Sequence, residues 1–316
     1  MDKDSRFGVV ADTNSAEIYL KHSHSGDIKV ISVTPGTSTA DGGAENPVEI
    51  SVRSLTASNS VVPIAPDAFD IYSLGTSSRL LATVGNSVAS ITTDSDTVTT
   101  IPLSIPANQI LQFDATAPND PTVRRRAVLY QTAAAGASLQ SGVTFVNLAD
   151  LETSKTQALQ AVDFGTSVSS VLQFPNLPNQ LVVILSGGGI DVLDLETRHW
   201  SPIESIKPIN VMFADTTPKR NRLWVGHSGD NRIGYVDLEN SNLDDPNSSL
   251  NLTINKSTEL DNPVQQIFHM YNANPLISRV IVTHDQVGGA VTLINADTPE
   301  RSTAIKLEGF LLSNLL

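Results

Sequence analysis

INVMFADTTPKRNRLWVGHSGDNRIGYVDL, residues Ile209–Leu238, reads as three short strands. Ile209–Ala214 is almost wholly apolar, the pattern of a strand covered on both faces. A turn of Asp, Thr and Pro follows, with Lys219 and Arg220 exposed. The second strand, Arg222–His227, stops at Ser-Gly-Asp-Asn, a tight-turn sequence. The third, Arg232–Leu238, alternates and closes on Asp237.

The phrase recurs along the chain. EIYLKHSHSGDIKVISV starts at Glu17 and RLLATVGNSVASITTD at Arg79. RAVLYQ starts at Arg126 and is completed after a loop by GVTFVNL. QLVVILSGGGIDVLDLET starts at Gln180, RLWVGHSGDNRIGYVDLEN at Arg222 and RVIVTHDQVGGAVTLINADT at Arg279. Leading strands are expected at Phe7–Ala11, Phe69–Leu74, Ile110–Phe113, Val168–Phe174, Ile209–Ala214 and Val264–Tyr271. Trailing strands are expected at Val98–Leu103, Thr156–Val162, Trp200–Ile203, Leu250–Ile254 and Ala304–Leu307. Four strands per unit, repeated radially, describe a β-propeller blade. Such a sheet has two apolar faces and buries them by stacking on its neighbours. The innermost strand touches neighbours on each side and is expected to be nearly continuous in apolar residues. Asp194, Asp237 and Asn295 end third strands, where a short acid or amide caps the next turn. Helical periodicity is nearly absent.

The units resemble the YVTN-type, WD40-like β-propeller repeat. LWVGHSGDNRIGYVDLEN and LVVILSGGGIDVLDLET carry the likeness best. It implies a fold and not a chemistry. Similar propellers are frequent in bacterial surface and periplasmic proteins, and a few are lactonases, lyases or quinone- and copper-dependent enzymes.

Two regions break the repeat. Thr34–Asn46, TPGTSTADGGAEN, reads as an exposed loop insertion. Two strand-like pieces follow it, Val48–Val52 and Val61–Ile64, where one blade needs a single strand. Gly309–Leu316, GFLLSNLL, is apolar beyond the last unit and is expected to close the ring against the first blade. The expected architecture is therefore all-β: one β-propeller domain over residues 1–316, of four-stranded antiparallel blades. Six blades are counted, or seven if the spare strands build another.

Composition narrows the function. The chain of 316 residues is 40% hydrophobic, only 17% charged, and carries a net charge of −13. That balance argues against nucleic acid, whose affinity comes from Lys and Arg, and against anionic membrane surfaces. No apolar run reaches the roughly 18 residues of a membrane span. With no cysteine, disulfides, thiol chemistry and Cys-bound zinc are excluded. MDKDSRFG at the N-terminus is no signal peptide; an extracytoplasmic setting implies that a targeting segment is missing from this sequence.

The candidate site lies at the turns after the second strands. His22, His227 and His284 end that strand in the first, fifth and sixth units, with His24, Asp230 and Asp285 close by. These six residues are the candidate ligand contacts. Closing a six-membered ring makes the three units neighbours. Converging imidazoles bind a transition metal or titrate near neutral pH, but a histidine here also satisfies turn backbone. With second strands spaced away from the axis, the expectation is a rim of turn-bonded histidines with no metal and no cofactor. Asp237–Asn247 offers oxygen ligands without the Gly and Glu of an EF-hand. Arg124–Arg126 and Lys219–Arg222 are expected on the opposite face, where they dock an acidic partner or, as the favoured reading, balance local charge and cap sheet edges. Ser186–Gly189 is no phosphate loop, there is no Gly-x-Ser-x-Gly elbow, and His199 with Trp200 reads as packing. The expected function is a non-catalytic binding or scaffold propeller whose partner is another protein or a surface ligand. The alternatives are a propeller hydrolase or lyase using the histidine face, and a structural subunit of a surface assembly.

Overall fold

The computed structural model describes residues 7–11, 16–22, 24–35, 48–56, 64–74, 77–117, 120–132, 141–151, 159–174, 177, 179–195, 200–205, 208–209, 211–215, 221–227, 230–238, 252–253, 255–270, 279–284, 290–298 and 302–306. These contain strands and no helix, so no helix among them is long and apolar enough to cross a membrane. The fold is an all-β propeller of four-stranded antiparallel blades, and the described residues build six of them. In the first blade β1 (Phe7–Ala11), β2 (Ala16–Lys21), β3 (Ile28–Pro35) and β4 (Val48–Ser54) pair in sequence order. The second repeats this with β5 (Ala68–Leu74), β6 (Ser77–Val84), β7 (Ser87–Thr92) and β8 (Val98–Pro102). The third uses β9 (Gln109–Ala117), β10 (Asp120–Tyr130), β11 (Ser141–Asn147) and the start of β12 (Leu159–Gln173). The rest of β12 leads β13 (Gln180–Leu185), β14 (Ile190–Asp194) and β15 (Trp200–Glu204).

The fifth blade comprises β16 (Val211–Asp215), β17 (Arg222–Gly226) and β18 (Arg232–Asp237), and is completed by its fourth strand beyond β19 (Leu252–Thr253), namely β20 (Asn255–Glu259). The sixth has β21 (Val264–Met270), β22 (Arg279–His284), β23 (Ala290–Asn295) and β24 (Ser302–Lys306).

Contacts divide the chain into two compact units, Met1–Ala115 with Thr122–Val168, and Thr116–Pro121 with Ser169–Leu316. Within each unit the apolar clusters straddle consecutive blades. In the first unit, Tyr19 and Val30 of the first blade pack with Phe69, Leu80 and Ile91 of the second. Tyr72, Leu81 and Val88 then meet Ile110, Leu129 and Val146 of the third. In the second unit, Val182 and Val192 meet Leu223 and Val236, while Trp224 and Ile233 meet Ile267, Val280 and Ile294. The second and fifth sheets thus hide their two faces against different neighbours.

Four sequence expectations are corrected. The innermost strands are not the most buried: Met212, Phe213 and Ala214 of β16 are half-buried, whereas β14 is buried throughout. Among the described residues β16 is a sheet edge, paired with β17 on one side only, and the middle strands form the core. The fifth blade's fourth strand is the polar NKSTE of β20 rather than Leu250–Ile254. Ile233 pairs with Thr258 across a bulge, while Leu252–Thr253 runs parallel to Ile203–Glu204. An outer strand needs little apolar content, so hydrophobicity pointed to the wrong segment. Thr156–Val162 and Val168–Phe174 are parts of one continuous strand, β12, from Leu159 onward. Finally, Thr34 and Pro35 still belong to β3, paired with Glu49 and Val48. The rest of the expected loop 34–46, the piece 61–63 and the terminal 309–316 lie outside the described residues.

Turn capping is as expected at Asn295, whose Oδ1 accepts the Asp297 and Thr298 amides at 2.9 and 3.3 Å. Asn147 does the same for Ala149 at 3.3 Å. Asp237 instead accepts two bonds from Arg222, at 2.6 and 2.9 Å. The same guanidinium lies 3.8 Å over the Tyr235 ring and donates to the Ala296 carbonyl of the sixth blade at 2.9 Å.

Two variants test this packing. Trp224→Ala is expected to cost roughly 3–5 kcal/mol, the range for emptying a buried aromatic site, read by urea denaturation. Arg222→Lys keeps the charge but loses the planar fork, and is expected to lower the melting temperature by several degrees.

Candidate turn face

In every blade, antiparallel order places the turn after the second strand and the segment entering the first strand at the same end of the sheet. The structure ties these two together repeatedly. In the second blade the Asp67 carboxylate accepts the Gly85 amide at 2.9 Å. In the third, the Asn108 side chain accepts from the Thr132 amide at 2.8 Å and donates to the Thr132 carbonyl at 3.0 Å.

The histidines of the second unit do the same job with the donor reversed. His227 Nδ1 donates to the Pro208 carbonyl at 2.7 Å. His284 Nδ1 donates to the Pro263 carbonyl at 2.9 Å, and its Nε2 accepts from the Thr292 hydroxyl at 2.7 Å. A carbonyl only accepts, so Nδ1 carries the proton in both rings. His284 is 4% exposed and both its ring nitrogens are engaged.

His22 is arranged otherwise. Its Nδ1 accepts the Ser25 amide at 3.2 Å and lies 2.8 Å from the Ser25 hydroxyl. The turn closes when the Gly26 amide reaches the His22 carbonyl at 2.9 Å, with Gly26 at φ 70°. Only glycine adopts that conformation without strain. Asp27 follows, bonded to Ser25 and paired with Lys29 at 2.9 Å. The Lys29 bond, then the Ser25 bond, hold its carboxyl well below the usual range.

His22 therefore belongs to the first unit, bonded inside its own turn. His227 and His284 belong to the second, each bonded to a different connecting loop rather than to its own turn. His24 is exposed in the first turn. Asp230 contributes backbone: its carbonyl accepts the Val264 amide at 2.9 Å. Asp285 lies outside the described residues. Among the described residues no three His, Cys, Asp or Glu side chains are grouped to hold a metal ion.

Sequence reasoning missed the prolines. Pro208 and Pro263 stand shortly before β16 and β21, and this repeated position was the available signal for the histidine partners. It also missed a cavity of about 320 Å³ in the second unit, walled by Ser169, Ser186, Gly187, Pro208, Ile209 and Met212. Gly188 shapes it. A Cβ there would sit 2.6 Å from the Pro208 Cβ, and its carbonyl accepts the Ile209 amide at 2.8 Å. The lining carries no charged side chain.

Another unexpected group is Asp191 in β14. It is 3% exposed and its Oδ2 has no hydrogen-bond partner. Desolvation pushes its carboxyl up to about 6.

The two aspartates predict opposite pH responses. Asp191 binds its proton more tightly folded than unfolded. Its ionisation penalty is absent near pH 4 and complete above about pH 6, worth up to about 3 kcal/mol. Asp191→Asn is expected to raise the melting temperature at pH 7.5 and to lose that advantage near pH 4. Asp27 binds its proton less tightly folded. Its contribution is present above about pH 4 and is lost as pH falls through its lowered value. Asp27→Asn is expected to destabilise at pH 7 with the difference shrinking in acid. Melting curves across pH check both.

No family model matches the chain, and no curated protein is similar to it. Solved structures are. Dihydro-heme d1 dehydrogenase NirN in complex with DHE superposes with a TM-score of 0.52 at 13% identity, over 93% of this chain and 55% of that one. The chain thus spans about half the length of that structure. The Neurospora crassa Pan2 WD40 domain matches at TM-score 0.43 and 9% identity, over 95% of this chain and 78% of that one. BBS1N in complex with ARL6DN matches at 0.48 and 10%, over 93% and 79%. At such identities the likeness is one of fold, and the fold shared with the first of these structures is the β-propeller.

Proposed function

We propose that this chain is a non-catalytic binding propeller whose turn face is a rigid platform for another protein or a surface ligand. The observation that carries this is the recurrent tie between second-strand ends and connecting loops, at Asp67, Asn108, His227 and His284. Side chains spent on holding loops are poor general bases or ligands, and a pre-ordered surface binds with little ordering cost. The residues His22, His24, His227, Asp230 and His284 then act by shaping and edging the face.

The repeat pattern supports placing the chain with YVTN-type propellers outside the cytoplasm of a bacterium, and one propeller domain over residues 1–316 is part of the same reading. The hydrolase or lyase alternative has one observation in its favour, the uncharged cavity beside Pro208 with His227 bonded behind it.

Interaction capture with purified variants separates these readings. Gly187 is exposed and has open space around its Cβ position, so Gly187→Trp adds bulk to the turn face. Ala149→Trp adds it to an exposed turn at the other end of its sheet. The expected outcome is loss of a defined partner with Gly187→Trp and retention with Ala149→Trp. Equal retention in both sinks the platform reading. Turnover of a lactone panel that is abolished in His227→Ala makes the enzyme reading the leading one.

A further inference from the structure

The outer strand of the first blade is unlike the other fourth strands. β4, VEISVRS, ends its sheet, with β3 on one side and no paired strand on the other among the described residues. Val48, Ile50 and Val52 point to one face and are 61%, 67% and 65% exposed. They are the most exposed large apolar residues among those described. A long open edge with an apolar row is a template for another strand.

The sequence of β4 is self-complementary about Ser51. Laid antiparallel on a second copy with Ser51 opposite Ser51, Ile50 faces Val52, Glu49 faces Arg53 and Val48 faces Ser54. Every pair occurs twice by symmetry, as an isologous contact requires. The apolar pairs fall on one face and the ion pairs on the other, because side chains alternate. Arg53 already holds Asp96 at 2.7 and 3.3 Å, which fixes its guanidinium beside the strand with donors to spare. A register shifted by one residue to either side sets Glu49 and Arg53 opposite uncharged residues, so charge selects this alignment.

We propose that two copies of this chain associate through β4, pairing edge to edge across a twofold axis at Ser51. The two four-stranded blades become one eight-stranded sheet, and Val48, Ile50 and Val52 of both copies form a shared apolar row.

The absence of cysteine makes the register directly measurable. In the expected dimer Cα atoms of the two Ser51 residues lie about 4.5–5.5 Å apart, within disulfide reach. The two Ser54 residues are offset by six positions, about 20 Å along the strand. Under mild oxidation Ser51→Cys is expected to give a covalent dimer and Ser54→Cys to remain monomeric on a denaturing gel. Sedimentation of the unmodified protein is expected to show a monomer–dimer equilibrium. Ile50→Lys, at an exposed position, is expected to abolish the dimer while keeping the melting temperature. A monomer at every concentration overturns the proposal and means that something other than a second copy covers the strip. Persistence of the dimer in Ile50→Lys, or equal cross-linking of the two cysteine variants, overturns it in favour of a different surface.

Discussion

The middle strands of each blade impose the constraint on which the rest depends. β13 and β14, or β17 and β18, are buried along most of their length and on both faces. A four-stranded sheet cannot supply that cover from its own residues. It needs a second sheet on each side, and in the second and fifth blades the straddling clusters supply that cover within one unit. Stacking in turn forces the chain to travel from the outside of one blade to the inside of the next, so every blade inherits a connecting loop at the end where its second strand stops. Those loops carry unsatisfied backbone, and the ties at Asp67, Asn108, Pro208 and Pro263 answer that requirement.

This geometry explains what was legible in the residues. The second and third strands of all six blades were readable because continuous burial demands continuous apolarity, and the turns between them because glycine and polar residues mark them. Fourth strands were less readable, as β20 shows: an outer strand is held by backbone pairing, and backbone pairing leaves no mark on composition. The continuity of β12 was illegible for a related reason. One strand serving two neighbours looks, in a hydrophobicity pattern, like two strands with a gap.

The candidate site was half legible. Repeat position placed His227 and His284 at corresponding points of adjacent blades, and the structure keeps that equivalence in their bonds. Their acceptors lie 19 and 21 residues away in sequence, on backbone carbonyls that any residue provides. His22, at the same repeat position, bonds within its own turn because Ser25 offers a nearer partner. Asp191 was invisible altogether. A carboxylate at an alternating position of a strand is read as solvent-facing, and nothing in the composition marks the burial that leaves this one 3% exposed.

The straddling cores also govern how the chain is made. Because each apolar cluster draws on two blades, a newly synthesised sheet keeps one face wet until the next arrives about 50 residues later. At translation rates of 5–20 residues per second, that interval is roughly 3–10 s. Throughout it the nascent chain shows water a broad apolar surface, with hydroxyls and amides rather than charges around it. Blade spacing therefore sets how long each apolar face stays open during synthesis, and the longest gaps between successive repeats are the longest exposures.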